Sequence, residues 1–284
     1  MSRDSTIREA VSHTALIVAA KRAIENQRAD RLFDDPYAAQ LAADEISTLL
    51  ERWQKVSSDL GQVKAKRTRF VAVRTRFYDD FLLSAQATAQ QVVILGAGMD
   101  ARAFRLPWLP ETRVYEIDHP EVLQHKNSVL QDVPPSCDRV VVSADLTEDG
   151  MGALLIQGFC PEHPSVWLLE GVLMYLPRVA VYKLLQTISD LSVTGSYLGA
   201  DFVSVRSVEI GEAAREKDRG RVVRHWQFGS DRPEDLLAES GWRASVVQPG
   251  DEEVNFGRYR EVPPVRGIPG TRHVFLVTAR RAER

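Results

Sequence analysis

The sequence predicts an α/β protein, a doubly wound Rossmann-like sheet of seven strands behind an N-terminal helical cap. From Gln91 onward, short β-branched runs alternate with helical patterns, the arrangement of a mainly parallel sheet covered by helices. The first apolar run, Gln91–Leu95, ends in Gly96-Ala97-Gly98, and an acid, Asp118, closes the second run 20 positions after Gly98. A glycine turn followed by a spaced acid marks a nucleotide-type cofactor site at the carboxyl ends of parallel strands. The 90 residues before the first run are helical in pattern, whereas a nicotinamide-type domain starts at its fingerprint.

Within the cap, residues 1–90, an aromatic face forms where Phe70, Arg74, Phe77 and Phe81 recur at i, i+4, i+7 and i+11. Arg74 stands in the midst of that face and is expected to point inward. Strands are predicted over 91–95, 113–117, 139–143, 165–170, 197–203, 243–247 and 273–279. The last follows the Pro- and Gly-rich VPPVRGIPGTR. The cap is expected to pack on the domain formed by 91–284 as one structural unit. The charged run from Glu209 to Arg224 reads as an exposed helix and loop.

The strand ends supply the candidate chemistry. Glycines at 96 and 98 allow unusual dihedrals and close approach of a ligand, because they lack Cβ. Asp118 would accept hydrogen bonds from a ribose diol, or else cap a helix, since Pro120 and Glu121 follow it. Asp145 follows the third strand and would contact the ligand or cap a helix near Thr147. Glu170 closes the fourth strand and Tyr175 lies one helical turn beyond it. Asp201, inside the apolar YLGADFV, is an active-site acid or a buried group satisfied by a backbone donor. His119 is the histidine nearest the glycine motif, while His225 and His273 read as structural. Trp226 and Phe228 read as core or lid packing.

Composition sets the boundaries. With 26% charged residues, 44% hydrophobic residues and a net charge of −3, the chain has the profile of an ordinary soluble protein. No basic patch points to nucleic acid. The apolar stretches fall far short of the roughly 20 residues a membrane span needs, and the N-terminus lacks a signal-peptide core. A cytoplasmic location is expected. Cys137 and Cys160 show no metal spacing and the six histidines no H-x-x-x-H pairing, so two free thiols and no metal site are expected.

Four segments resemble, in order, the leucine carboxyl methyltransferase family and its bacterial S-adenosylmethionine-dependent O-methyltransferase branch. They are SHTALIVAAKRAIENQRADRLFDDPYAAQLA, AVRTRFYDDFL, GAGMDARAFRL with YEIDHPEVLQHK, and LLEGVLMYLP. The resemblance implies the methyltransferase fold, with its last strand inserted antiparallel, and S-adenosyl-L-methionine as cofactor. It implies methyl transfer to a carboxylate or hydroxyl of a small molecule, or to a protein C-terminal carboxylate. Gly96, Ala97, Gly98 and Asp118 would then hold the amino acid and ribose parts, and Arg74 the ligand carboxylate as a planar fork. Lys21 or Arg22 would add a second cation. Asp145 and Leu146 would clamp the adenine, and Glu170 would meet the ligand's ammonium or face the acceptor. Tyr175, Asp201 and His119 are the candidate catalytic groups. Taken alone, Gly96-x-Gly98-x-x-Ala101 also suits a nicotinamide oxidoreductase, and a non-catalytic binding relative would keep the same glycines. Neither the acceptor nor the oligomeric state can be read from these residues.

Overall fold

The computed structural model describes residues 3–55, 59–147, 151–215, 225–268 and 270–282. Four helices come first: α1 (Arg3–Asn26), α2 (Ala38–Ala42), α3 (Glu45–Gln54) and α4 (Leu60–Ala85). Asp59 starts α4, its side chain accepting the N–H of Gln62 at 3.0 Å. Seven strands follow: β1 (Gln91–Leu95), β2 (Arg113–Asp118), β3 (Asp138–Ser143), β4 (Ser165–Leu169), β5 (Tyr197–Val203), β6 (Trp242–Val247) and β7 (Val274–Arg281). Between them lie α5 (Arg102–Arg105), α6 (Pro120–Val129), α7 (Met151–Ile156), α8 (Arg178–Asp190), α9 (Val205–Arg215) and α10 (Pro233–Glu239). Of the predicted charged helix and loop, 209–215 belong to α9 and 216–224 lie outside the described residues.

The sheet order is β3-β2-β1-β4-β5-β7-β6. Strands β1 to β5 pair in parallel, and β7 runs antiparallel between β5 and β6. The chain leaves β1 toward β2 and β3, then returns to β4 on the other side. This reversal opens a crevice at the carboxyl ends of β1 and β4, where ligands bind in open α/β sheets.

The central strands are apolar throughout because both faces are covered. Val92, Ile94, Val166 and Leu168 belong to one apolar cluster; Val93, Leu95, Trp167 and Leu169, the alternate positions, belong to another. The first cluster also contains Ala19, Leu41, Trp53 and Tyr78, so the N-terminal helices share a core with the sheet. No described helix is long and apolar enough to cross a membrane. Both cysteines are free thiols.

Candidate active site

A cavity of about 820 Å³ opens at the carboxyl ends of β1, β2, β4 and β5, with Thr14 to Arg22 of α1 and Phe70 to Thr75 of α4 along its other side. Every sequence-predicted site residue lines it: Lys21, Arg22, Arg74, Gly96, Ala97, Gly98, Asp118, His119, Asp145, Leu146, Glu170, Tyr175 and Asp201.

The glycine turn is built for close approach. Gly96 has φ +63° and Gly98 φ +45°, in the left-handed region that favours glycine. A Cβ on Gly96 would stand 2.6 Å from Cγ2 of Val172, and one on Gly98 would stand 3.1 Å from Cβ of Ala15 in α1. These glycines therefore make room for protein neighbours as well as for a ligand. Asp118 binds the turn directly: Oδ2 accepts from the N–H of Gly98 and Oδ1 from that of His119, both at 2.7 Å. The capping alternative for Asp118 does not hold, because α6 begins at Pro120 with His119 as its N-cap residue and no side-chain cap bond. Burial pushes the Asp118 carboxyl up, against the pull of those two N–H groups.

Asp145 closes a local turn, Oδ1 accepting from the backbone N–H of Thr147 at 2.8 Å and from its hydroxyl at 2.6 Å. Beneath the glycine turn lies a fully buried pair that the sequence reading missed. Lys126 Nζ is 2.9 Å from Glu116 Oε2 and donates to the carbonyl oxygen of Asp100 at 3.1 Å, so α6 holds the turn from behind.

Arg74 points inward, and its partners are carboxylates of this chain. Its Nε is 2.9 Å from Glu170 Oε1 and one terminal nitrogen is 2.8 Å from Asp201 Oδ2. Asp201 is 1% exposed, and its other oxygen accepts from the N–H of Gly171. Of the two readings for Asp201, the geometry matches the buried group with a backbone donor. Glu170 is not a solvated strand-end acid: its second oxygen is 2.8 Å from Arg102.

The pairing runs on through the interior. Arg102 also meets Asp79 and Asp100, Arg105 meets Asp79 and Asp35, and Arg22 meets Asp35 at 2.8 Å. Five carboxylates alternate with four guanidiniums from α1 to β5. Burial alone would raise Asp100, but Arg102, Arg22, Lys126 and Arg105 outweigh it and hold its carboxyl at about 2. The sequence reading missed Asp35, Asp79, Asp100, Arg102 and Arg105. Their signal was proximity to the quoted motifs, since pairings that span 13 residues or more, as all of these but Arg102–Asp100 do, leave no periodicity to read.

The network also distinguishes the two cations of α1. Arg22 is spent on Asp35 and on the carbonyl oxygen of Met99. Lys21 has no carboxylate within 4.0 Å among the described residues, and burial, with Arg74 and Arg67 nearby, lowers it to about 8. Tyr175 sits in a 3-10 turn, Leu173–Tyr175, with Trp226 and Thr14 close to its hydroxyl. Burial pushes that phenol up, which disfavours phenolate. Trp226 lines the cavity while Phe228 is buried in the core against α8 and β5. His273 is structural, with Nδ1 2.7 Å from Gln248 Oε1.

Comparison with known proteins decides the family. Residues 15–189 match the leucine carboxyl methyltransferase family model. The chain belongs to this family. A protein of Parafrankia sp. (strain EAN1pec), assigned as an S-adenosyl-L-methionine-dependent methyltransferase, is 38% identical over 277 residues, covering 96% of this chain and 87% of that protein. One of Saccharopolyspora erythraea with the same assignment is 39% identical over 264 residues, 87% of this chain and 88% of that protein. A solved structure from Thermobifida fusca, described as a methyltransferase, shares the fold at 17% identity and TM-score 0.50, over 90% of this chain and 95% of that one. The fold is thus the Rossmann-like methyltransferase fold, the chain is an S-adenosyl-L-methionine-dependent methyltransferase, and its cofactor is S-adenosyl-L-methionine.

The donor set suits that cofactor. An amino acid zwitterion needs opposite charges a few ångströms apart, and the cavity holds Lys21 without an acid partner among the described residues and Glu170 at its mouth. The glycine backbone and the Asp118 carboxylate line the same cavity.

Proposed function

We propose that this methyltransferase acts on an oxygen of a small molecule, a carboxylate or a hydroxyl. The observation that supports the reading is the mixed lining of one cavity. Glycine backbone and charged side chains line it at the ends of β1 and β2 and suit the cofactor, and the same cavity also presents Phe70, Tyr175 and Trp226, which suit a compact acceptor.

When bound, S-adenosyl-L-methionine supplies a methyl group activated by its sulfonium. In this reading Asp118 accepts the ribose hydroxyls while continuing to hold Gly98. Asp145 accepts from the adenine amine and the backbone N–H of Leu146 donates to the ring. Lys21 takes the ligand carboxylate with the positive field of Arg74 behind it, and Glu170 takes the ammonium. The remaining work is alignment and exclusion of water, because in-line displacement depends on placing the oxygen on the axis of the breaking bond.

Calorimetry with S-adenosylhomocysteine, alongside NAD as the contrasting nucleotide, tests the site. Incubation with methyl-labelled cofactor and panels of acids, phenols, amines and thiols tests the atom. Label in an ester or ether of a small compound supports oxygen transfer; label in an amine, a thioether or a protein overturns it.

A further inference from the structure

At the reversal of strand order between β1 and β4 the loops that follow these two strands part to open the crevice. One buried side chain joins them again. Arg102, 3% exposed at the start of α5, places a single terminal nitrogen 2.5 Å from Asp100 Oδ2 in the loop after β1 and 2.8 Å from Glu170 Oε2 just past β4. Its other edge is fixed from the cap. There Nε lies 2.7 Å from Asp79 Oδ1, and the second terminal nitrogen donates to the carbonyl oxygen of Thr75 at 3.3 Å. Asp100 is held in turn, its Oδ1 accepting the backbone N–H of Arg102 at 2.7 Å.

A guanidinium carries five N–H groups in one planar fork, and the contacts with Asp79, Asp100, Glu170 and Thr75 occupy nearly all of them. Arg102 has little left to offer a ligand. Glu170 differs, because an ionised carboxylate has about four acceptor sites and its ion pairs with Arg74 and Arg102 engage one oxygen each. It lines the cavity with acceptor capacity to spare.

Two guanidiniums on one acid do not cancel the local field. The five carboxylates and four guanidiniums of the buried network leave one negative charge, and an ammonium at Glu170 completes the alternation. A glutamate left free would lose rotamer freedom when a ligand arrived; one already clasped from both sides does not.

We infer that Arg102 is a positioning residue of the cofactor site, one that ties Glu170 to the loop after β1 and presents its carboxylate to the ligand's ammonium group without touching the ligand. This rests on the placement of that ammonium at Glu170 proposed above. A lysine would keep the charge but lose the planar fork that reaches both loops and the cap at once.

The test is calorimetry on the full chain with three ligands. S-adenosylhomocysteine has the amine and the carboxylate, S-adenosyl-3-thiopropylamine has the amine alone, and 5′-methylthioadenosine has neither. Arg102→Lys should weaken the two amines about 10-fold or more and leave 5′-methylthioadenosine within about 2-fold. In a Glu170→Gln background the same substitution should change the amines by no more than about 2-fold. Equal losses for all three ligands would make Arg102 a brace of the glycine turn and overturn the inference, as would a full loss that persists beside Glu170→Gln; both spare the ammonium reading. Amines bound no tighter than 5′-methylthioadenosine by the parent, or unaffected by Glu170→Gln, would overturn that reading and the inference with it. Should Arg102→Lys not fold, Asp100→Asn keeps an oxygen for the N–H of Arg102 but can turn an amide toward its terminal nitrogen. The same selective loss of the amines is expected there, and unchanged selectivity overturns the inference.

Discussion

The carboxylate of Asp118 accepts the backbone N–H of Gly98 at 2.7 Å, so one side chain fixes the glycine turn and faces the cavity. The spacing of 20 residues between them, visible in the sequence, is in the fold a direct bond across adjacent parallel strands.

Asp118→Ala should therefore weaken S-adenosylhomocysteine binding and loosen the turn. Loss of hydrogen bonds to a charged acceptor costs roughly 1.5–3 kcal/mol, or about 10- to 150-fold in affinity. Calorimetry and a melting curve on the same preparation separate the two effects. A lowered Tm with unchanged affinity would leave Asp118 with only its role on Gly98.

Arg74→Ala removes the shared partner of Glu170 and Asp201, both largely out of solvent at 11% and 1% side-chain exposure. Breaking one side of such a cluster leaves buried charge without a counterion and costs about 3–5 kcal/mol. Asp201 carries the sign of the pH dependence. Its folded-state carboxyl is already raised by burial, and losing Arg74 removes the main group holding it down. A group raised in the folded state favours folding at low pH and loses that contribution as pH rises. The Tm deficit of Arg74→Ala should thus narrow on acidification, and Arg74→Ala with Asp201→Asn should recover part of it at pH 7. A deficit that grows as pH falls would contradict this account.

Much of this fold was legible because its central strands obey simple periodicities: four apolar residues in a row at β1, alternating into two clusters, and a glycine turn. The strand predicted over 273–279 extends to Arg281, and the one over 165–170 stops at Leu169, which leaves Glu170 just beyond the sheet. Of the site, Asp118 and the inward Arg74 could be placed from spacing. Which cation of α1 was free to meet a ligand could not, since Lys21 and Arg22 are neighbours and only the tertiary position of Asp35 commits one of them. The alternation from Arg22 through Asp35, Arg105, Asp79 and Arg102 to Glu170 was equally closed, because it joins three helices, the loop after α1 and a strand end through contacts distant in sequence.

Gly96→Ala should damage the turn by two separable routes. An L-residue in the left-handed region costs about 1–2 kcal/mol, and the new Cβ would meet Val172 Cγ2 at 2.6 Å. Adding Val172→Ala removes the methyl groups but leaves the dihedral strain. Chemical denaturation should show the double variant more stable than Gly96→Ala alone, yet below Val172→Ala. Equal stability of Gly96→Ala and the parent would mean that the turn relaxes freely.

If Lys21 meets the ligand carboxylate as proposed, it should set the pH dependence of cofactor binding. Burial first, then Arg74 and Arg67, lower its pKa to about 8 in the free protein, below the 10.5 of an unperturbed lysine. A ligand carboxylate beside it favours the ammonium form and raises that pKa in the complex. Below about 8 the lysine is protonated before and after binding, and affinity should be constant. Above it, binding must recruit a proton, so affinity for S-adenosylhomocysteine should fall with rising pH, and calorimetry in buffers of different ionisation enthalpy should register proton uptake. Stability runs the opposite way. A lysine whose folded pKa is depressed opposes folding most at pH below about 8, and the opposition fades as pH rises toward its unfolded value. Lys21→Met should accordingly raise Tm at pH 7 while weakening binding and abolishing the uptake of protons. Unchanged affinity together with undiminished proton uptake in Lys21→Met would remove Lys21 from the ligand carboxylate and return that role to Arg74.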